Sequence, residues 1–336
     1  MAVKRIGLQT IAFGAPPHII AASTIVGPRE GEGPLAESFD TVTKTDLYGE
    51  KTPEKAEYRL LEEACQSALT KAKLPAEAVQ YYLGGDLLNQ IVTSSFVARQ
   101  LQIPYLGLYA ACATIGEGLA LGAMIIDGGF AEKVLVGAAS HYHTAERQFR
   151  YPVELNIQHR GTNQTTVTGA GAAILANTGQ GPRVTQATLG KVVDYGLKDA
   201  NDLGSAMAPA AADTLVRHFQ DTGTTPGDYD LILTGDLARM GSKMLHKLLQ
   251  DAGYVLGGKH QDAGQLIFSP QQKAGAGGSG AGCIASVLFG HILKEMYQGR
   301  YHKILVVPTG ALFSPLTCQQ GESIPCIAHA LVIEEG

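Results

Sequence analysis

The chain has 336 residues, room for two domains of ~150 residues or for one large unit built from two halves. Hydrophobic residues make up 45% of it and charged residues only 17%, against ~25% in an ordinary soluble domain, which excludes disorder and implies a large buried interior or an extensive subunit interface. The net charge of −5, with no basic run, lacks the phosphate-neutralising surface of a nucleic-acid binder, so no nucleic acid is expected as a partner.

In chain order, the first fifty residues are rich in Gly and Pro and read as irregular. Thr52-Pro53 is a helix start, a capping hydroxyl followed by a proline whose missing N–H costs nothing at that position. Leu61, Ala64, Cys65, Ala68, Leu69 and Ala72 recur at helical spacing, and Pro75 marks the end. A strand is expected from Val79 to Leu83, running into Gly84-Gly-Asp86, then a short helix from Ser94 to Leu101 and a strand from Tyr105 to Tyr109. Ala110-Ala-Cys-Ala-Thr114 is a junction of small residues before a helix reaching about Ile126. Lys133 to Ala138 and Ala170 to Ala176 read as buried strands.

The second half repeats this grammar. A helix from Pro209 to Phe219 precedes a strand from Tyr229 to Thr234, which ends in Gly235-Asp-Leu237, as the first-half strand ends in Gly85-Asp-Leu87. The Gly-rich loop Gly275 to Gly282 opens a helix to about Tyr297, and Lys303-Ile-Leu-Val306 matches Lys133-Val-Leu-Val136. The ordered matches suggest an internal duplication with halves near 1–180 and 181–336. Strands alternating with helices predict mostly parallel, mixed sheets covered by helices.

The stretch without Asp, Glu, Lys or Arg from Ala274 to Leu293 contains Gly, Ser and His, and reads as a loop leading into a core helix rather than a bilayer span. The N-terminus shows no signal-peptide pattern. The five cysteines, Cys65, Cys112, Cys283, Cys318 and Cys326, include no C-x-x-C pair, which argues against a disulfide framework and a zinc site and for a reducing, intracellular setting.

Cys112 is the first candidate for chemistry. At a strand–helix junction a thiol meets the positive end of a helix dipole and free N–H groups, both of which favour thiolate, although an inert core cysteine fits the same place. His141 and His143 follow the Lys133 strand and are candidates for a base or an anion contact, or for satisfied loop histidines. Arg147, Arg150 and Tyr151 come next, and arginines clamp carboxylates in bidentate fashion. The loop Gly275 to Gly282 lacks the Lys-Ser/Thr ending of a phosphate loop and more simply lets a buried helix approach closely.

These residues carry a resemblance. The cysteine at its elbow, the duplicated halves and the Gly-rich second helix start resemble the thiolase and ketoacyl-synthase superfamily. Gly85-Asp-Leu-Leu-Asn-Gln90, Thr144-Ala-Glu-Arg-Gln-Phe-Arg-Tyr-Pro152, Gly204-Ser-Ala-Met-Ala-Pro-Ala-Ala-Ala-Asp-Thr214, Asp230-Leu-Ile-Leu-Thr-Gly-Asp-Leu237 and Glu322-Ser-Ile-Pro325 are most similar to the stage V sporulation protein AD family of spore-forming bacteria, across nearly the whole chain. The resemblance implies a five-layered αβαβα thiolase-like fold, with the Cys112 helix and the helix after Gly282 in the middle layer. It implies a homodimer, pairing through Lys133 to Ala138, and partnership with the other stage V sporulation A proteins, with peripheral attachment at the inner membrane of the forespore or spore. It also implies a role in binding dipicolinic acid, or its calcium complex, during uptake into the developing spore.

The departures from catalytic members matter as much. Ketoacyl synthases of the third type carry His-Gln-Ala-Asn and thiolases Asn-Glu-Ala-Phe where this chain has Gly235-Asp-Leu-Ala238. The second motif, Gly-His-Pro or Gly-Asn, falls near Gly277-Gly-Ser-Gly280. Acyl transfer needs a thiolate and donors for the developing oxyanion, and one cysteine supplies only the first. The expectation is a non-catalytic binder with no cofactor and no metal site, its ligand contacting Cys112, Asp86, His141, Asp236 and Ser279. A Cys112-dependent acyltransferase with His141 or His143 as base, and a purely structural partner in an uptake complex, are the alternatives.

Overall fold

The computed structural model describes residues 4–150 and 160–336. Tyr151, one of the expected candidates, and the end of the 144–152 segment lie outside the described residues.

Ten strands form the frame: β1 (His18–Val26), β2 (Tyr81–Gly85), β3 (Tyr105–Gly107), β4 (Lys133–Ser140), β5 (Gly169–Ala176), β6 (Arg183–Thr188), β7 (Leu231–Gly235), β8 (His260–Asp262), β9 (Lys303–Ala311) and β10 (Ala330–Glu334). The first five pair in the order β1-β5-β4-β2-β3 and the second five in the order β6-β10-β9-β7-β8. In each run the first two junctions are antiparallel and the last two parallel. Two stretches of unlike sequence thus build one topology twice. The runs meet at a corner where His18 of β1 pairs with Arg183 of β6.

Helices cover both runs and fill the space between them. On one outer face lie α1 (Pro53–Ala72) and α2 (Val92–Leu101), and α1 starts on the expected cap, with the Thr52 side chain accepting from the Lys55 N–H. Leu60, Leu61, Ala64, Cys65 and Ala68 of α1 are buried against Leu135 of β4 and Ala172 and Ile174 of β5. Each fully buried leucine there contributes about 1.5–3 kcal/mol. The middle layer holds α3 (Thr114–Asp127), followed in the chain by α4 (Tyr142–Phe149) at the rim. The other outer face carries α5 (Leu203–Thr222) and α6 (Ala238–Asp251). The middle layer is completed by α7 (Ala281–Val287), which runs through a π-helical turn, Leu288–Ile292, to Tyr297. Ile115, Leu119 and Ala123 of α3 share one core with Cys283, Ile284 and Val287 of α7, and with Val136 of β4 and Val306 of β9. The layers are helix, sheet, helix, sheet, helix, as expected.

Three expectations need correction. The first fifty residues are not all irregular, because they contain β1, a nine-residue strand at the meeting of the two runs, paired along its length with β5. Its sequence, His-Ile-Ile-Ala-Ala-Ser-Thr-Ile-Val, has helices on both sides and so lacks the alternation that marks a half-buried strand. The helix expected from Pro209 begins at Leu203, where the Asp202 side chain caps the Ser205 N–H, and Pro209 lies inside it. Finally, β4 is hydrogen-bonded on both sides, to β5 and β2, so it is not an edge available for pairing two subunits. The free edge of that run is β3.

Candidate functional site

Cys112 lies in the turn Ala111–Ala113 that leads into α3. The elbow is tight: Ala111 has φ 50°, and the Thr114 hydroxyl, 3.2 Å from the Ala110 N–H that it accepts, donates to the Ala111 carbonyl at 2.7 Å. Small residues are required around it, since a Cβ on Gly310 of β9 would sit 2.1 Å from the Ala110 carbonyl oxygen. Leu87, Tyr109, Phe149, Arg150, Ser279, Gly280 and Phe313 line the space beside the thiol, a cavity of about 30 Å³. That admits roughly one water molecule and no ring.

The electrostatics differ from the sequence expectation. Burial pushes the Cys112 thiol well above its ordinary value, and the Asp236 carboxyl nearby adds to the rise, while the Gly280 N–H and the Arg150 guanidinium act in the other direction. The helix dipole does not win here, because a fully desolvated thiolate is penalised more than a helix terminus repays. Asp236 itself is fully buried at φ 68°, beyond the end of β7, and neither carboxylate oxygen has a hydrogen-bond partner. Burial, with Asp262 close by, pushes its carboxyl well above the usual range. No histidine lines this cavity or the larger one beside it, among the described residues.

The structure brings some of the expected residues together and sends others elsewhere. Cys112 and Ser279 share the small cavity, and Asp236 lies behind them. Asp86 is buried, with one carboxylate oxygen accepting from the Leu88 N–H at 2.9 Å and the other from the Ser94 N–H at 2.8 Å. It holds the entry to α2. His141 is buried at the start of α4: Nε2 donates to the Asp46 carbonyl at 2.9 Å and Nδ1 accepts from the His143 N–H at 3.2 Å. Burial lowers its pKa, so it is a neutral cap. Arg147 pairs with Glu54 at the surface, at 3.3 Å. Arg150 is buried, pairs with Glu146, and keeps its Nε–H without a partner.

Sequence reasoning missed a larger space beside the small cavity. A cavity of about 850 Å³ adjoins the first, lined by Arg29, Tyr142, Glu146, Arg160, Gln164, Arg239, Phe268 and Lys273, among others. The two spaces share a wall: Glu146 faces one and its partner Arg150 the other. A parallel ladder of Gln164–Thr166 on Gly277–Ser279 completes that wall. Arg29 donates to the Gln272 carbonyl at 2.9 Å and stacks over Phe268, and Arg239 donates to the Gly275 carbonyl. Neither arginine is paired with a carboxylate among the described residues. Two guanidinium groups without a carboxylate partner, one of them over the Phe268 ring, suit a flat anion. No local motif announces this, because the lining residues come from segments far apart in the chain.

Comparison with known proteins fits this frame. The family model for stage V sporulation protein AD (SpoVAD) matches residues 7–334. The stage V sporulation protein AD of Bacillus subtilis (strain 168) is 46% identical over 332 residues, covering 99% of this chain and 98% of that one. The crystal structure of 3-oxoacyl-[acyl-carrier-protein] synthase III from Aquifex aeolicus VF5 aligns with a TM-score of 0.58 at 15% identity, over 95% of this chain and 99% of that one. Cerulenin-bound OleA of Xanthomonas campestris aligns with a TM-score of 0.60 at 16% identity, over 99% of both chains. At such identities the two structures speak for the fold, which is thiolase-like.

Proposed function

The chain belongs to the stage V sporulation protein AD family, and we propose that it is a non-catalytic member of the thiolase-like fold that binds dipicolinate for uptake into the developing spore. The observation that carries the reading is the basic cavity. Arg29 and Arg239 donate to backbone carbonyls and pair with no carboxylate among the described residues, Lys273 adds positive charge, Arg160 is paired with Asp199, and Tyr142 and Phe268 bring aromatic rings to the lining. Dipicolinate is a rigid, planar dianion. Two carboxylates for two arginines and a ring for the aromatic faces account for each feature. Its calcium complex carries no net charge and gains less from the same cations.

Cys112, Ser279 and Asp236 then form the closed inner wall rather than the reacting centre. Among the described residues no histidine lies alongside the thiol to act as the base that a nucleophile needs, and burial beside an acid holds that thiol protonated. The Cys112-dependent acyltransferase is tested by incubation with an acyl-coenzyme A and intact-mass measurement. The binder shows no adduct, whereas an adduct lost in Cys112→Ser establishes the enzyme. Among the described residues no helix is long and apolar enough to cross a membrane. In this reading, passage across the bilayer falls to the other stage V sporulation A proteins, with this chain peripheral to them at the spore inner membrane.

A further inference from the structure

Asp262, the last residue of β8, holds the turn that carries Arg239 to the basic cavity. Its Oδ1 accepts from the N–H groups of Ala238 at 2.8 Å and Gly264 at 3.0 Å, and its Oδ2 from the Leu237 N–H at 3.1 Å and the Thr234 hydroxyl at 2.7 Å. The turn needs holding. Asp236 and Ala238 have φ values of 68° and 50°, in the left-handed region that residues with a Cβ avoid. Next in the chain, Arg239 donates its N–H to the Ala276 carbonyl at 3.0 Å and presents its side chain at the cavity wall. An ionised Asp262 is therefore one hydrogen bond, to the Ala238 N–H, and one residue away from Arg239 at the anion site.

Behind Asp262 runs a hydrogen-bonded line to the surface. Because the Thr234 hydroxyl donates to Asp262, it accepts from His260 Nε2, at 2.8 Å. Nδ1 of His260 then accepts from Nε2 of His246 at 3.0 Å, and His246 is exposed on α6. Each hydrogen points inward. A proton taken up at the outer nitrogen of His246 reaches Asp262 when each link passes its own hydrogen on. Every N–H and O–H bond broken is matched by one formed, and both histidines end neutral.

We propose that Asp262 is the positioning residue for Arg239 and that the His246–His260–Thr234 line connects its carboxyl to solvent, so that the anion cavity is set when Asp262 is ionised and loosened when it takes up a proton. The ligand consequence rests on the anion-binding reading above; the turn itself does not. The groups facing Asp262 are Thr234 and Asp236 from β7 and its end, His260 on its own strand, His246 from α6, and Cys283 from α7. Burial lifts Asp262 to about 6, and burial with Asp262 close by also raises the Asp236 carboxyl well above its ordinary value. Burial holds His260 down at about 3, so it relays as a neutral ring.

Backbone hydrogen exchange of the free full-length protein at about pH 7.5 and about pH 5.5, corrected for intrinsic rates, tests this. The amides of Leu237 and Ala238 should lose protection by roughly tenfold in acid, the effect of weakening a charge-assisted hydrogen bond. In Asp262→Asn they should be equally unprotected at both pH values. The wild type supplies the answer even if that variant folds poorly. Dipicolinate affinity should fall by a similar factor over the same range, and Asp262→Asn should flatten that profile. Amide protection that is unchanged between the two pH values in the wild type overturns the proposal. Protection that falls as expected without dipicolinate binding at any pH leaves it standing and overturns the ligand reading alone.

Discussion

Asp86 accepts hydrogen bonds from the Leu88 and Ser94 N–H groups, whereas Asp236, at the matching strand end of the other half, leaves both carboxylate oxygens without one. Both follow the glycine that closes an equivalent strand, Gly85 or Gly235. The difference lies in the neighbouring strand. Asp262 pairs in register with Thr234 and supplies the acceptors for the second turn, while the first half has Gly107 opposite Gly84. The second aspartate is thereby released from holding its own turn and faces Cys283 and Cys112 instead.

Asp236→Asn should stabilise the protein at neutral pH. A buried carboxyl whose folded pKa is raised stays protonated while the unfolded chain ionises, so its contribution is fully present below the ordinary aspartate value and is lost as pH rises toward the folded pKa. A tenfold change in an acid dissociation constant corresponds to about 1.4 kcal/mol. Asn also tolerates the left-handed backbone at φ 68°. Denaturant unfolding should show a gain of roughly 1–3 kcal/mol at about pH 7.5, shrinking as pH falls toward about 4. A loss at neutral pH would mean that the carboxyl has a partner in the folded protein.

Arg239→Gln and Arg29→Gln should each weaken dipicolinate binding by about tenfold or more, because each removes a charge-assisted contact worth about 1.5–3 kcal/mol. Arg147→Gln, at a surface ion pair with Glu54, should leave affinity within about twofold. Equilibrium titration of the three variants separates the cavity arginines from general charge.

Cys112→Ala should change dipicolinate affinity by less than about tenfold, since a thiol supplies one weak donor worth on the order of 0.5–1.5 kcal/mol. Cys112→Phe should cost stability, because the space beside the thiol is about 30 Å³. The wild-type thiol should alkylate slowly at neutral pH, because burial holds it protonated. Rapid single-site alkylation at Cys112, followed by mass, would revive the acyltransferase.

The free edge at β3 gives the expected homodimer a place to form. Leu106 is 43% exposed there, and an apolar unpaired edge invites an isologous partner. Leu106→Lys should convert a dimer to a monomer in sedimentation at micromolar concentration. A monomeric wild type would show that the edge is left bare.

The outer helix α1 and the Lys133 and Lys303 strands were legible because a cap, a 3.6-residue apolar spacing and short buried runs are local signals. The close approach expected of the Gly275–Gly282 loop is present: a Cβ on Gly282 would sit 2.1 Å from the Gly169 carbonyl oxygen. Strand β1 was hidden because both its faces are covered and its pattern does not alternate. Cys112 could be singled out from its small neighbours, but its ionisation could not, since that depends on Asp236 and on desolvation arriving from another part of the chain. The basic cavity was illegible for the same reason: Arg29, Arg239 and Phe268 meet only in the folded molecule.

Arg29 and Arg239 line one cavity, the proposed seat of a planar dianion. Calorimetric titration of the full-length protein with dipicolinate, beside the Arg29→Gln/Arg239→Gln double variant, tests it most directly. The wild type should show saturable binding with one site per chain and the double variant a loss of at least about a hundredfold, the product of two charge-assisted contacts. No saturable binding by the wild type at millimolar dipicolinate would contradict it.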